Sequence, residues 1–457
     1  MRLEYRWMAV CMGLSALIAA NGVQAEVLTA DRAVQVALER NSSVIQAQAG
    51  VLDARGALYS SYSRVLPSVS ASVTRGGSRS EGNEGTQLFG SVVTPSSRTD
   101  NESYATDPVL SGSWSVFDLS ALRGMQSARS GMKASQLQQL STRQDVAFST
   151  RKQFYEVVKS IRLSEVASSA LRLARDDERR VRALFEVGSV SRSDLLKAQV
   201  RTAQSQLDSL RASQTVTNQR IALAGILGLP EQQMGDVDTA LTVVPRVVDE
   251  AALRAEAAAA RPDLKAADAE QSAARANLQS ANLARLPAVS VRGSMAFEPK
   301  SSFSQKTYAN PGGSPLSDEL VSGRNTTERE WSAAAAITLP IFTGMATESR
   351  IASAQARMRR ANDARDALWR NLDSDVQQAA LQYRQAVAQD EVARQAVASA
   401  EENLKLTQQK YNVGSATILD LIDAQVQLQR VQSDAVSALA GIRVAEAQLD
   451  RVRGRNE

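Results

Sequence analysis

The side chains that carry out most protein chemistry are scarce in this sequence: among 457 residues there is no histidine, and the only cysteine is Cys11. Imidazole bases, thiol nucleophiles and the softer ligands of zinc and copper sites are therefore missing. There is no Gly-rich phosphate loop and no isolated carboxylate pair in a site-like setting. The sequence predicts no enzyme, no cofactor and no metal site. What remains is carboxylates, and three of them, Asp194, Asp420 and Asp423, stand at two related places. A carboxylate three residues after a Ser or Thr can cap a new helix by accepting its free amides.

The elements that position them come from one stretch that occurs twice, Phe185 to Val200 and Tyr411 to Val426, at a constant offset of 226. In each copy an aromatic residue and a valine end a helical run. Gly188 or Gly414 can take the left-handed conformation that stops it, and Ser191 or Thr417 opens the next helix. Asp194 and Asp420 then fall at the capping-box position. Asp423 lies one turn further on, on nearly the same helical face as Asp420, and its first-repeat counterpart is Lys197. Two such helical hairpins imply a duplicated fold.

The N-terminal stretch, residues 1–25, has a positive start, an apolar middle and a cleavage-like Val23-Gln24-Ala25, and is expected to be a removable signal. Val10 before Cys11 and the signal beyond it do not fit a lipoprotein site. The formal charge is +4, with basic and acidic residues interleaved and few aromatics among them. That pattern describes solvated helix faces and no nucleic-acid surface.

Both halves read in the same order. Residues 26–230 give a helix from Ala30 to about Arg64, a Leu-Pro break, an alternating strand from Ser68 to Thr74, and a polar stretch from Arg75 to Asp107 expected as a long loop. A second strand, about Val109 to Phe117, a helix from Leu119 to Val187, the hairpin and a return helix complete the half. Residues 231–250 are a connector. Residues 251–457 repeat the order, with Ala274 to Ser290 aligning with Ala54 to Ser70 at an offset of 220. Pro299 to Arg329 is expected as a second polar loop, and the second long helix as about Met345 to Asn412.

At 1.5 Å per residue each long helix reaches about 100 Å, which no globular core requires. Four strands of roughly nine to eleven residues suit a bilayer but are too few to close a barrel, and open edges are not tolerated in lipid. Several copies must therefore build the barrel, and three copies leave room for a lumen where two do not.

The Leu-Pro strand element, the Trp-containing strand ending Ile341-Phe342-Thr343-Gly344, the paired Val-Gly-Ser turns with Asp-Leu-Leu/Ile-x-Ala-Gln behind them, and the two-fold repeat together resemble the TolC outer-membrane channel family. The likeness covers essentially the whole chain after the signal. It implies a mainly α fold with membrane β structure: a homotrimer with a 12-strand β-barrel, four strands per protomer, continuous with a long α-helical periplasmic barrel. It also implies a passive exit duct in the outer membrane of a Gram-negative bacterium, recruited by a periplasmic adaptor and an inner-membrane transporter of ABC or RND type, for type I protein secretion or for drug or metal-ion efflux.

Residue by residue, the resemblance makes Asp420 and Asp423 the periplasmic gate and Asp194 with Tyr411 its latch, although the family's latch arginine is Ala416 here. Val187-Gly188-Ser189 and Val413-Gly414-Ser415 become the adaptor-docking tips. Trp114, Trp331 and Phe342 near strand ends are expected at the membrane interface. A periplasmic coiled-coil scaffold without a pore is the reading from another class; the alternating strands and long polar stretches speak against it.

Overall fold

A computed structural model describes residues 27–84, 88–89, 92–93, 97–243, 246–297, 300–308, 317–321 and 329–454. The expected signal, residues 1–25, lies outside them. The described residues form two compact units: those within 27–49, 138–263 and 369–454 make one, and those within 50–137 and 264–368 make the other. Each draws on both repeats.

Helix α1 (Ala30–Arg40) is capped by the Thr29 hydroxyl, and α2 (Ser42–Tyr62) follows at once. The single helix expected from Ala30 to Arg64 is thus two. Asn41 breaks it: its amide donates to the Ile226 carbonyl at 2.8 Å and its Oδ1 accepts from the Ser43 amide at 2.9 Å. The second repeat breaks at the matching place, where α5 (Glu250–Ala260) ends and Pro262 opens α6 (Pro262–Leu283). Proline suits a first helical turn because its missing N–H is not needed there. The long helices are α3 (Leu119–Glu186) and α7 (Ala346–Asn412), and the return helices are α4 (Arg192–Leu227) and α8 (Ile418–Arg453). The connector carries a short 3-10 turn, Glu231–Gln233, and a parallel bridge from Leu28 to Val237. Leu28, Met234 and Val237 enter a buried cluster with Phe154, Val157 and Leu227.

The strands are β1 (Ser68–Glu84), β2 (Leu88–Phe89), β3 (Val92–Val93), β4 (Ser97–Phe117), β5 (Ala288–Phe297), β6 (Lys300–Tyr308), β7 (Ser317–Val321) and β8 (Arg329–Thr338). In the larger sheet β4 pairs with β1 along one edge and with β5 and β6 along the other; β5 carries β8 and β6 carries β7, all antiparallel. The stretch from Arg75 to Asp107, expected as a loop, is largely strand, since the β1–β4 ladder runs on to Glu84 and Ser97. The described residues of the second expected loop, Pro299 to Arg329, are also strand. A ladder needs backbone partners and no apolar face when both faces meet water. Polar pairs support it: Arg79 reaches Glu102 at 3.6 Å and Asp100 at 3.7 Å across the ladder. At Gly77 the absent side chain leaves room for the Tyr104 ring, which a Cβ would meet at 2.9 Å.

Register gives the sheet two unlike faces. Ser68 pairs with Ser113, Ser70 with Ser111, and Ser294 with Ser332, and each pair is joined by its hydroxyls at 2.8–2.9 Å. Arg292 shares that face, opposite Ser113. The other face shows Val69, Val73, Leu110, Trp114, Met295, Trp331 and Ile337, all exposed. Among the described residues no helix is long and apolar enough to cross a membrane.

Candidate functional site

The two hairpin tips are built alike. At the first, the Ser189 amide donates to the Leu184 carbonyl at 2.8 Å and the Gly188 amide to Phe185 at 3.0 Å, with Gly188 at φ +77°. At the second, Ser415 donates to Lys410 at 2.9 Å and Gly414 to Tyr411 at 3.0 Å, with Gly414 at φ +78°. This is a left-handed cap that satisfies the last carbonyls of each long helix. A Cβ on either glycine would meet open space, so the requirement for glycine is conformational.

The return helices start on hydroxyl caps. Ser191 Oγ accepts from the Asp194 amide at 3.2 Å and donates to its carboxylate at 2.8 Å. Thr417 makes the full capping box: its hydroxyl accepts from the Asp420 amide at 3.2 Å, while its own amide and hydroxyl both donate to the Asp420 carboxylate at 2.8 Å. Hydrogen bonds to an ionised carboxylate stabilise that form. The Thr417 amide, seconded by its hydroxyl, lowers the Asp420 pKa; the Ser191 hydroxyl, seconded by Lys197, lowers that of Asp194.

Beyond the caps the tips diverge. Lys197 reaches Asp194 at 3.3 Å, so the first tip holds a paired charge. Asp420 and Asp423 are both exposed on α8, and neither has an ion pair among the described residues. The structure thus places both expected gate carboxylates on one exposed side of the helix start, with Asp420 also a cap.

The tips share one apolar cluster, in which Val181 and Ala198 of the first repeat pack with Ile418 and Leu421 of the second. Tyr411 packs against it, and burial, then the charge of Asp177, raises its pKa. Asp194 and Tyr411 share no hydrogen bond among the described residues, because the Asp194 carboxylate is taken up by Ser191 and Lys197. The polar link across the repeats is instead Asp177, whose buried carboxylate accepts from the Gln425 amide. Desolvation raises the Asp177 pKa despite Gln425 and despite Arg180 at 3.8 Å. Sequence reasoning missed this residue, which stands in the charged run Asp176-Asp177-Glu178 and looks like its solvated neighbours.

Of the expected interface aromatics, Trp114 and Trp331 lie on the apolar sheet face, and Trp114 Nε1 also donates to the Val65 carbonyl at 2.9 Å. Phe342 is exposed between β8 and α7, beside exposed Leu339, Ile341 and Met345.

The family described as "Outer membrane efflux protein" matches residues 33–229 and 253–455, one block per repeat. The "Outer membrane protein TolC" of Vibrio cholerae is 24% identical over 336 residues, covering 72% of this chain and 73% of that protein. Among solved structures, the CmeC outer membrane channel of Campylobacter jejuni aligns with a TM-score of 0.76 at 16% identity over 93% of this chain and 85% of that one. The outer membrane protein VceC of Vibrio cholerae aligns with a TM-score of 0.72 at 18% identity, over 93% and 96%.

Proposed function

The chain belongs to the outer membrane efflux protein family, and on that premise we propose that its hairpin tips are the docking and gating end of a passive export duct. The fold is that of the TolC-like channels, mainly α with a membrane sheet, and the protein is an outer-membrane duct of an efflux or secretion system with its helical part in the periplasm. The observation that carries this reading is the two-faced sheet: an apolar face suited to lipid, a serine face suited to a wet lumen, and edges at β1 and β8 that need partners. Three copies supply twelve strands and close the edges.

In this reading Asp420 and Asp423 of three chains form the periplasmic constriction. The turns Val187-Gly188-Ser189 and Val413-Gly414-Ser415 are gripped by a periplasmic adaptor, and Asp194 and Tyr411 hold the closed tip, Asp194 by fixing the start of α4 through Ser191 and Tyr411 by packing against the apolar cluster that the repeats share. Trp114, Trp331 and Phe342 sit at the lipid headgroups. Energy and cargo choice belong to the inner-membrane transporter, and the duct itself catalyses nothing. The test is fractionation and native mass of the mature protein. Outer-membrane trimers with bilayer conductance are expected; a detergent-stable monomer with full strand content and no conductance would overturn the reading.

A further inference from the structure

The hydroxyl face of the sheet carries a charge that the fold does not use. Arg292 stands on β5 in register between Ser113 of β4 and Ala334 of β8, and it is exposed. Its neighbours along the strand, Val291 and Gly293, turn to the apolar face. Among the described residues Arg292 has neither an ion pair nor a hydrogen bond. It is also the single cation among the described residues on this face of β1, β4, β5 and β8. A guanidinium stays protonated at any physiological pH, so the positive charge is permanent.

The surface around it is neutral and rich in hydroxyls. The level nearer the helices sets Ser290 beside Ser115 and Ala336, and the level farther out sets Ser294 beside Ser111 and Ser332. The groove over this surface holds about 670 Å³. In the pairs Ser70–Ser111 and Ser294–Ser332 one hydroxyl donates to the other, which leaves the second proton of each pair for a solute. The next charges on this face of β4 and β8 are Asp107 and Glu330. Glu330 is four residues from Ala334 and Asp107 is six from Ser113. They therefore lie roughly 13 and 20 Å away along the strands, beyond a Debye length of about 8 Å. A planar fork of N–H donors beside free hydroxyls, with no carboxylate in reach, is suited to an oxyanion, which it can bind by two parallel hydrogen bonds.

We propose that Arg292 determines specificity in the barrel lumen by holding solutes that carry an oxyanion, a carboxylate or a sulfonate, as they pass. The proposal rests on the reading of the hydroxyl face as the wet inner wall, and it adds the class of cargo which that wall favours. Three copies place three such stations at one level. Lumen-facing residues of β-barrels tune selectivity, and cationic side chains do so for anions. Each station acts within a Debye length, so it biases the solutes that touch the wall and leaves the net ion preference to the narrower tip.

The local reaction rates of a thiol test it. Cys11 is the only native cysteine, and Cys11→Ser removes it. Ala334→Cys then puts a thiol across the ladder from Arg292, and Ser72→Cys puts one at the level of Glu330. Reconstituted trimers are treated with two methanethiosulfonates, one bearing a sulfonate and one a trimethylammonium. The ratio of the two rates is taken, so that any effect of Arg292 on ionisation of the thiol cancels. At position 334 the sulfonate-to-trimethylammonium ratio should fall on the order of three- to tenfold in Arg292→Gln. Arg292→Lys, which keeps the charge, should retain most of it, and the ratio at position 72 should stay level. Raising the salt to about 1 M should lower the ratio at 334 in the Arg292 protein by the same order, which supplies the test where Arg292→Gln gives no trimer. A ratio at 334 that answers to neither the substitution nor salt overturns this inference and leaves the duct reading standing; so does an equal fall at 72. A thiol at 334 that neither reagent reaches in intact trimers overturns the wet wall and this inference together.

Discussion

One turn into the returning helix, the first-repeat tip sets Lys197 where the second-repeat tip sets Asp423. Everything before that position is nearly shared: a glycine at positive φ, a hydroxyl cap and an aspartate held by that cap. The difference teaches that the turn and the electrostatics are separately encoded. Gly188 and Gly414 make two geometrically equivalent platforms. A single position then decides whether the cap aspartate is neutralised, as Asp194 is by Lys197, or doubled, as Asp420 is by Asp423.

The largest effect expected comes from removing what the tips share. Gly188→Val with Gly414→Val forces β-branched residues into the left-handed region, at roughly 1–2 kcal/mol each, with no clash to relieve. Export should fall to the level of cells lacking the protein while trimers still reach the outer membrane. Undiminished export would break the view that the turns are the docking platform.

A smaller effect sharpens the role of the buried link between repeats. The Asp177 pKa is raised, so its contribution favours the folded tip below the ordinary carboxylate pKa and is lost as pH rises through the raised value. Asp194 and Asp420 are lowered, so theirs is present above the ordinary value and lost as pH falls through the lowered one. Between the ordinary value and the raised one, Asp177 favours the folded tip as pH falls. Amide protection factors, corrected for the intrinsic exchange rate at each pH, should rise at residues 177–200 and 411–426 on acidification through that window in the wild type and stay level in Asp177→Asn. The same slope in both proteins would remove Asp177 from the account.

Helix caps come next. Thr417→Ala should destabilise the start of α8 by about 1 kcal/mol, seen as faster exchange there and little change at Ser191. The smallest effect expected is at the other unit of the chain. Trp331→Ser removes one exposed aromatic of the apolar sheet face and should lower trimer yield in membranes by less than half, read by heat-stable trimer on gels.

How much of this could be read from the residues follows from where the determining interactions lie. The hairpins were legible because glycine, hydroxyl and carboxylate act within a few residues of one another. The apolar strands were legible from alternation alone. The stretch from Arg75 to Asp107 was not, because Ser, Gly and charged residues read as loop until the backbone of β4 pairs with β1. The break at Asn41 depends on the Ile226 carbonyl, far away in sequence. Asp177 was hidden for a related reason: its burial comes from α8, and nothing beside it in sequence announces Gln425.

The central claim is that the second tip carries an acidic ring that the first lacks, and single-channel recording of reconstituted trimers tests it most directly. With Asp423 and Asp420 from three chains around a narrow opening, the wild-type channel should prefer cations and be blocked by trivalent cations from the periplasmic side. Asp423→Ala leaves the Thr417–Asp420 cap in place. It should lose most of the block with the trimer intact, and Asp420→Asn with Asp423→Ala should lose the remainder. Equal trivalent block in wild type and Asp423→Ala would contradict the account.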